Sequence, residues 1–232
     1  MLAPPELPTR EALSDWISAQ TRAEEPAYAE GYQGPVYLYQ SEGHGFIVKT
    51  ALKGGLPGGI RRWMLKREYR AYQQLNGFSG SPQCYGLIDG RYLVLEHIDG
   101  LSLRRGRIDD RYTYFDTLLA YIAEMHRRGV AHGDLKSRDN LLVIGRRLPC
   151  IVDFGTAIVR KPGFAPFNHM LFQFARRLDL NAWAKLKYRG RMWLLTPEDR
   201  PYYRRTLIEK MASAARPFYV WLKRRIEKLD DV

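Results

Sequence analysis

Short apolar runs separated by turn-forming residues occupy much of the first hundred positions of this chain. One run covers 46–51, and two more, at 85–88 and 92–96, flank the dipeptide Asp89-Gly90. Runs of this length indicate β-strands, and Asp-Gly between two of them favours a type I′ turn. The pattern therefore predicts a strand at 46–51 and a β-hairpin at 85–96.

Helical spacing of apolar residues first appears near Arg10–Gln20, where Leu13, Trp16 and Ile17 share one face and Thr9 is a candidate N-cap. This helix would pack on the strands, and nothing in it suggests chemistry. The same spacing predicts further helices at about 60–75, 111–128, 167–177, 180–189, 196–215 and 217–229.

Two polar motifs interrupt the apolar pattern in the second half of the chain. The stretch His132–Val143 contains Asp134, Lys136 and an Asn before an apolar run, and Asp153-Phe-Gly follows, with its Asp 19 residues after Asp134. Either motif alone could be an ordinary turn or strand end. The ordered pair, separated by two apolar runs, is much more specific.

The two motifs resemble the patterns H-R-D-L-K-x-x-N and D-F-G of the protein-kinase-like superfamily. This resemblance implies an α+β, bilobal fold with an antiparallel-sheet N-lobe and a reduced helical C-lobe. It also implies an enzyme that transfers the γ-phosphate of ATP, with Mg²⁺, to a hydroxyl group. In that chemistry Asp134 would accept the hydroxyl proton, Lys136 would reach the transferred phosphate, and Asp153 would bind Mg²⁺.

The chain departs from the family pattern at two points of this loop. Gly133 replaces the Arg that, in the family, pairs with a phosphorylated activation loop, so that switch is expected to be absent. The loop is also one residue longer, so either Asp139 or Asn140 could be the second Mg²⁺ ligand. We favour Asn140, because the strand that follows it fixes its position.

Four residues of the first hundred match further parts of the family pattern. Lys49 lies within an apolar strand, and Glu68 lies 19 residues later in a predicted helix, as in the family's lysine–glutamate pair that holds the α- and β-phosphates. Gly31 and Gly34 could form a reduced glycine-rich loop on the phosphates, although two glycines also suit an ordinary turn. Taken alone, Glu68 would be a solvated charge.

The resemblance places the hinge between the lobes at Glu96-His97-Ile98. The backbone of Glu96 and Ile98 would bind the adenine edge, while His97 would be a spacer. His132 is expected to be structural, held against the backbone near Asp153. The implied divisions are an N-terminal helical extension at 1–30, an N-lobe at 31–96, and a C-lobe at 97–232.

The composition of the chain indicates its cellular compartment and the charge of a partner. Cys84 and Cys150 provide no disulfide framework and suit a reducing compartment. The N-terminus lacks the features of a signal peptide, and no run of about 18 apolar residues is present, so a cytoplasmic protein is expected. Of the net charge of +12, residues 156–232 carry +10, from 17 Lys/Arg against 7 Asp/Glu. This basic part suggests an anionic partner.

The last third of the chain is short for a protein kinase and lacks Ala-Pro-Glu and a long activation segment. It resembles RIO-type and Bud32-type kinases and bacterial lipopolysaccharide-core sugar kinases. Its 12 aromatic residues among cations suggest peripheral contact with an anionic membrane, unless they form a core. A glycolipid acceptor at the inner membrane face is therefore favoured over a protein acceptor. A RIO-like serine/threonine kinase is the first alternative, and an inactive scaffold for membrane or nucleic acid ranks below both.

Overall fold

The structure, a computed structural model, describes residues 9–22, 28–31, 34–41, 44–51 and 58–204. Its longer helices are α1 (Arg10–Arg22), α2 (Gly58–Gln74), α3 (Arg111–Arg127) and α4 (Pro166–Lys187). The strands are β1 (Ala29–Gly31), β2 (Gly34–Ser41), β3 (His44–Thr50), β4 (Cys84–Ile88), β5 (Tyr92–Glu96), β6 (Leu101–Ser102), β7 (Val130–Ala131), β8 (Leu141–Ile144), β9 (Leu148–Ile151) and β10 (Ile158–Val159).

The first five strands form one antiparallel sheet in the order β1-β2-β3-β5-β4. The predicted hairpin is confirmed: Asp89 and Gly90 both have positive φ angles, of 53° and 64°, as a type I′ turn requires. Asp-Gly tolerates this left-handed backbone, and the hairpin register follows from the turn.

Alternation along β3 gives the sheet two different faces. Phe46 and Val48 point to one face, where Leu13 and Ile17 of α1 pack against them in a small apolar cluster. The oxygen Oγ1 of Thr9 accepts from the backbone N–H of Ala12 at 3.2 Å, which supports the predicted N-cap. Since successive side chains of a strand point to opposite faces, Lys49 points away from α1.

The second part of the chain is built on α3 and α4, with two small sheets, β10-β7 and β6-β8-β9, beside them. Both helices contribute to the main hydrophobic core, which also includes residues of α2 and β5. The buried Trp183 of α4 donates its indole N–H to the carbonyl of Phe115 in α3 at 2.7 Å. A buried indole with its donor satisfied fixes the two helices against each other.

The predicted helices after residue 156 need correction. The predicted helices 167–177 and 180–189 are one helix, α4, which ends at Lys187. Asp179 between the two predicted segments is buried and bonds to another loop instead of ending the helix. The described part of the predicted helix 196–215 forms only a short 3₁₀ turn, Arg200–Tyr202, where Pro201 favours a turn. Residues 205–215 and the predicted helix 217–229 lie outside the described residues.

The fold is thus mixed α+β, with an antiparallel-sheet N-terminal region and a helical C-terminal region, consistent with a kinase-like bilobal fold. Within the described ranges, no helix is both long and apolar enough to cross a membrane.

Candidate active site

Three charged residues that are distant in sequence meet beside the N-terminal sheet. The ammonium Nζ of Lys49 lies 2.6 Å from Oε1 of Glu68 and 2.7 Å from Oδ1 of Asp153. β3 supplies the lysine, α2 the glutamate, and the segment after β9 the aspartate. The structure therefore brings together the lysine, the glutamate and the second motif that the sequence singled out.

The three members of this cluster differ in exposure. Glu68 is fully buried, whereas the side chain of Asp153 is 54% exposed and could meet a ligand. Burial by itself lowers the pKa of Lys49, but the carboxylates of Glu68 and Asp153 raise it well above its usual value. The Asp153 carboxylate is only partly screened from solvent by its neighbours, which by itself raises its pKa, and the charge of Lys49 outweighs this effect and lowers the pKa. Lys49 is therefore a cation and Asp153 an anion at neutral pH.

Backbone geometry at Asp153 is unusual. Its φ of 64° and ψ of 73° lie in the left-handed region, which costs a residue with a Cβ on the order of 1–2 kcal/mol. The next residue, Phe154, is fully buried between Tyr72 of α2 and His132, with ring centroids 4.9 and 5.0 Å away. The packing of Phe154 holds the strained Asp153 in place, and strain of this kind is often found at functional sites.

His132 anchors the loop of the first motif, as expected. Its ring Nε2 donates to the carbonyl of Val152 at 3.0 Å, and its Nδ1 accepts from the backbone N–H of Asp134 at 3.2 Å. Both ring nitrogens have a hydrogen-bond partner in the backbone, so the buried imidazole has a structural role. It ties the loop around Asp134 to the strand end that precedes Asp153.

Asn140 and Asp139 have different surroundings. The amide Nδ2 of Asn140 donates to the carbonyl of Asp134 at 3.0 Å and to its Oδ2 at 3.3 Å. The backbone carbonyl of Asn140 also accepts from Val152, next to Asp153. Asp139 instead pairs with Arg104, whose hydrogen bonds lower the pKa of that carboxyl. The geometry therefore favours Asn140 over Asp139 as the residue that accompanies Asp134 and Asp153.

Asp179, which no pattern in the sequence singled out, fixes the backbone of the same loop. The buried carboxylate accepts from the N–H of His132 and from that of Gly133, both at 2.8 Å, and lies 2.9 Å from Nε2 of His126. An acidic residue in the middle of an apolar helical stretch was the signal that could have found it, since a buried charge needs partners.

Gly133 and the segment after Asp153 are the parts of the chain from which the family's phosphorylation switch is expected to be absent. Gly133 has a φ of +82°, a conformation in which a side chain such as the family's Arg would be strained. The chain then runs only from Gly155 to Pro166 before α4 begins, and β10 pairs there with β7. Arg67 of α2 donates to the carbonyls of Thr156 and Ala157, both at 3.0 Å, and so joins α2 to this short segment.

The structure shows the positions of the remaining predicted site residues but less about their roles. Gly31 and Gly34 pair across the β1–β2 hairpin, and residues 32–33 between them lie outside the described residues. Lys136 is exposed two positions after Asp134. The side-chain Oε2 of Glu96 accepts from the backbone N–H of Gln83 at 3.0 Å. Glu96 and Ile98 line a cavity of about 700 Å³, and neither Lys49 nor Asp153 is among its lining residues.

The donor set suits a hard divalent cation that is shared with a phosphate. Mg²⁺ usually takes one or two protein oxygens and completes its shell with water and phosphate. The exposed carboxylate of Asp153 and the amide oxygen of Asn140 fit this requirement. Among the described residues, no group of three or more His, Cys, Asp or Glu is placed to hold a metal ion.

Comparison with known proteins supports the same fold. No family model matches the chain. Over 159 residues, 60% of this chain, it is 31% identical to "Putative cyclin-dependent kinase F-2" of Oryza sativa subsp. japonica. The chain spans about half the length of that relative, 48%. The finer resemblance to lipopolysaccharide-core, RIO-type and Bud32-type kinases stays a prediction, and what the comparison supports is a protein-kinase-like fold.

Proposed function

We propose that this protein is a kinase that transfers the γ-phosphate of ATP to a hydroxyl group with the help of Mg²⁺. The observation that carries the proposal is the contact of Lys49 with both Glu68 and Asp153, close to the loop that holds Asp134 and Asn140. An inactive scaffold would have no need to keep a partly buried lysine between two carboxylates, one of them on a strained aspartate.

ATP would lie between residues 31–96, proposed as the N-lobe, and 97–232, proposed as the C-lobe. Lys49, held by Glu68, would bind the α- and β-phosphates, and the backbone at Gly31 and Gly34 would approach them. The hinge backbone of Glu96 and Ile98 would bind adenine. When a nucleotide enters, its phosphates would replace Asp153 as the main partner of Lys49 and free that carboxylate for Mg²⁺.

Mg²⁺ would supply the charge that neutralises the phosphate oxygens as the bond to the leaving group breaks. Asp153 and Asn140 are its proposed ligands. Because the amide nitrogen of Asn140 is already bonded to Asp134, its oxygen is the atom that would meet the cation. The same hydrogen bond orients the carboxylate of Asp134.

Asp134 would accept the proton of the attacking hydroxyl, and Lys136 would reach the transferred phosphate. Asp134 is half-buried, within reach of a substrate. Asp179 acts through the backbone: it fixes the N–H groups of His132 and Gly133 immediately before the proposed base.

For the acceptor we propose a lipopolysaccharide-core sugar at the cytoplasmic face of the inner membrane. Four large apolar residues are exposed just before α4 and along its first half: Phe164, which is 97% exposed, Phe167, Met170 and Phe174. They follow the cations Arg160 and Lys161. Exposed aromatic residues beside cations suit a peripheral contact with anionic lipid.

A protein hydroxyl is the second candidate acceptor. The similarity to a protein named as a cyclin-dependent kinase favours it. Part of the aromatic set also belongs to the core and does not argue for membrane, since Phe172 and Trp183 are buried.

Incubation with γ-labelled ATP and either fractionated membrane lipids or a protein panel would test both acceptors. We expect label in the glycolipid fraction, dependent on Mg²⁺ and absent with D134N. D116N is the matched control, because it makes the same change at an exposed residue of α3 that pairs with Lys187 and lies outside the proposed site. Label in protein alone would select the second acceptor, and no labelled product in any fraction would reject the kinase proposal.

A further inference from the structure

Five arginines line one cavity of about 620 Å³ on the C-terminal part of the molecule. We call it the arginine pocket. Leu103, Ile108 and Leu186 provide apolar walls, and no acidic residue is among those that line it. Its basic members are Arg107, Arg111, Arg138, Arg146 and Arg189.

Separate elements bring these arginines together. Arg111 begins α3, Arg138 lies in the loop between Asp134 and Asn140, and Arg146 lies in the turn between β8 and β9. Arg107 precedes α3, and Arg189 follows α4. The cavity shares no lining residue with the Lys49–Glu68–Asp153 cluster, so it is a second site and not part of the proposed nucleotide site.

Arg111 of the arginine pocket is held in place by contacts with α3 and α4. Its guanidinium donates to the carbonyls of Leu186 and Lys187 at the C-terminus of α4 and lies 4.6 Å from the ring centroid of Phe115. Burial, and then the positive charges of Arg189 and Arg138, lower the pKa of Arg111. The arginines therefore already act on one another across the cavity.

The other arginines of the pocket differ in whether the protein provides a hydrogen-bond or salt-bridge partner for the side chain. Arg146 forms a salt bridge with Asp109. Within the part of the chain that the structure describes, the side chains of Arg107, Arg138 and Arg189 have neither a hydrogen bond nor a salt bridge to protein. Several unpaired guanidinium groups around one cavity repel one another, and an anion placed between them would remove this cost.

We propose that the arginine pocket binds a small ligand that carries two or more phosphate groups. The guanidinium fork matches phosphate oxygens in a bidentate way, and a second phosphate would satisfy unpaired guanidinium groups that a single phosphate leaves without a partner. The volume falls in the range of ordinary small-molecule sites, and the apolar walls would accept the organic part of the ligand. The inference does not rest on the proposed kinase activity.

A bound ligand would also contact the loop of the first motif through Arg138, four residues after Asp134 and next to Asp139. The phosphates could belong to a free metabolite or to a lipid headgroup, since the chemistry of recognition is the same. The experiment therefore needs one soluble probe and one membrane probe.

The soluble probe is inorganic tripolyphosphate, titrated by calorimetry without Mg²⁺ into the full chain. R107Q/R189Q removes two arginines that have no protein partner, so the fold should be kept, as melting curves would verify. We expect its affinity to fall about tenfold or more, because charge-assisted hydrogen bonds are lost. R62Q/R70Q on α2 makes the same charge change at exposed positions outside the cavity and should leave the affinity unchanged.

K49M separates this site from the proposed nucleotide site. Tripolyphosphate binding that survives K49M but is lost in R107Q/R189Q supports the arginine pocket. Binding lost in K49M alone, or weakened equally by R62Q/R70Q, would overturn the proposal. Failure of the kinase assay would leave this result unaffected.

The membrane probe is a vesicle of neutral lipid that contains a phosphoinositide bisphosphate, assayed by co-sedimentation beside vesicles of neutral lipid alone. Vesicle binding that R107Q/R189Q abolishes, without binding of tripolyphosphate to the wild type, would assign the site to a phosphorylated headgroup. If the wild type binds neither probe, the proposal is wrong.

Discussion

Asp179 of α4 accepts a hydrogen bond at 2.8 Å from the backbone N–H of His132, 47 residues earlier in the chain. The contact joins the central helix of the C-terminal region to the loop of the proposed base. D179N would replace one of the two acceptor oxygens by a donor and leave a buried N–H unsatisfied. We expect a loss of about 1–3 kcal/mol in the free energy of unfolding, and a lower kcat.

Urea denaturation with intrinsic fluorescence would measure this loss. D15N on the exposed face of α1 is the matched control and should stay within about 0.5 kcal/mol of the wild type. If D179N were as stable as D15N and fully active, Asp179 would not be a positioning residue.

Substitutions of Asp134 and of Asp153 are predicted to have different effects on turnover and on nucleotide binding. D134N keeps the shape of the side chain but cannot accept a proton, so turnover should be abolished while nucleotide affinity stays within a few-fold. D153N should also weaken nucleotide binding, but only when Mg²⁺ is present. Titration of nucleotide with and without Mg²⁺, beside turnover, would separate the two variants. Near-normal turnover of D134N would contradict the mechanism.

Asn140 should matter more than Asp139 for the Mg²⁺ requirement. N140A removes an amide that contacts Asp134, whereas D139A breaks only an exposed pair with Arg104. We expect N140A to raise the Mg²⁺ concentration needed for half-maximal activity clearly more than D139A. The reverse order would place the second ligand at Asp139.

Both thiols should react slowly in the folded protein. Burial raises the pKa of Cys84 to about 11 and that of Cys150 to about 12. Because the thiolate is the reactive form, little of either is present at pH 8. Labelling with a disulfide reagent should therefore be much slower in buffer at pH 8 than in denaturing urea, and should quicken for Cys84 as the pH approaches 11. Rapid labelling of native protein at pH 8 would show that the thiols are not protected.

Trp193 is the described tryptophan that can report contact between the C-terminal region and a membrane. It is 79% exposed, whereas Trp183 is fully buried and cannot change its environment without unfolding. Trp221 lies outside the described residues. Anionic vesicles should shift the emission to the blue if this region inserts at headgroup depth, and W193F should reduce the shift. A shift that W193F leaves intact would place the contact elsewhere, and no shift would remove support for the glycolipid acceptor.

Features that a short stretch of sequence can encode were predictable. The hairpin at Asp89-Gly90 follows from the φ angles that these two residues tolerate, and the buried face of α1 follows from the spacing of Leu13 and Ile17. The motifs around Asp134 and Asp153 could be found because their chemistry needs particular residue types in a fixed order. Their functional roles stay predictions.

Only the tertiary structure decided which of these residues meet and which do not. The local pattern could favour Asn140 over Asp139 but could not show their surroundings, because the partner of Asp139 is Arg104 and that of the Asn140 carbonyl is the N–H of Val152. The local pattern also predicted two helices where α4 is continuous. The polar Asp179 suggested a break, and the partners that keep this carboxylate inside the helix lie more than 40 residues away. The arginine pocket likewise consists of single residues from separate elements. These contacts form only when folding brings together residues that are far apart in the sequence. Neither the periodicity nor the composition of the sequence specifies which of those residues will meet.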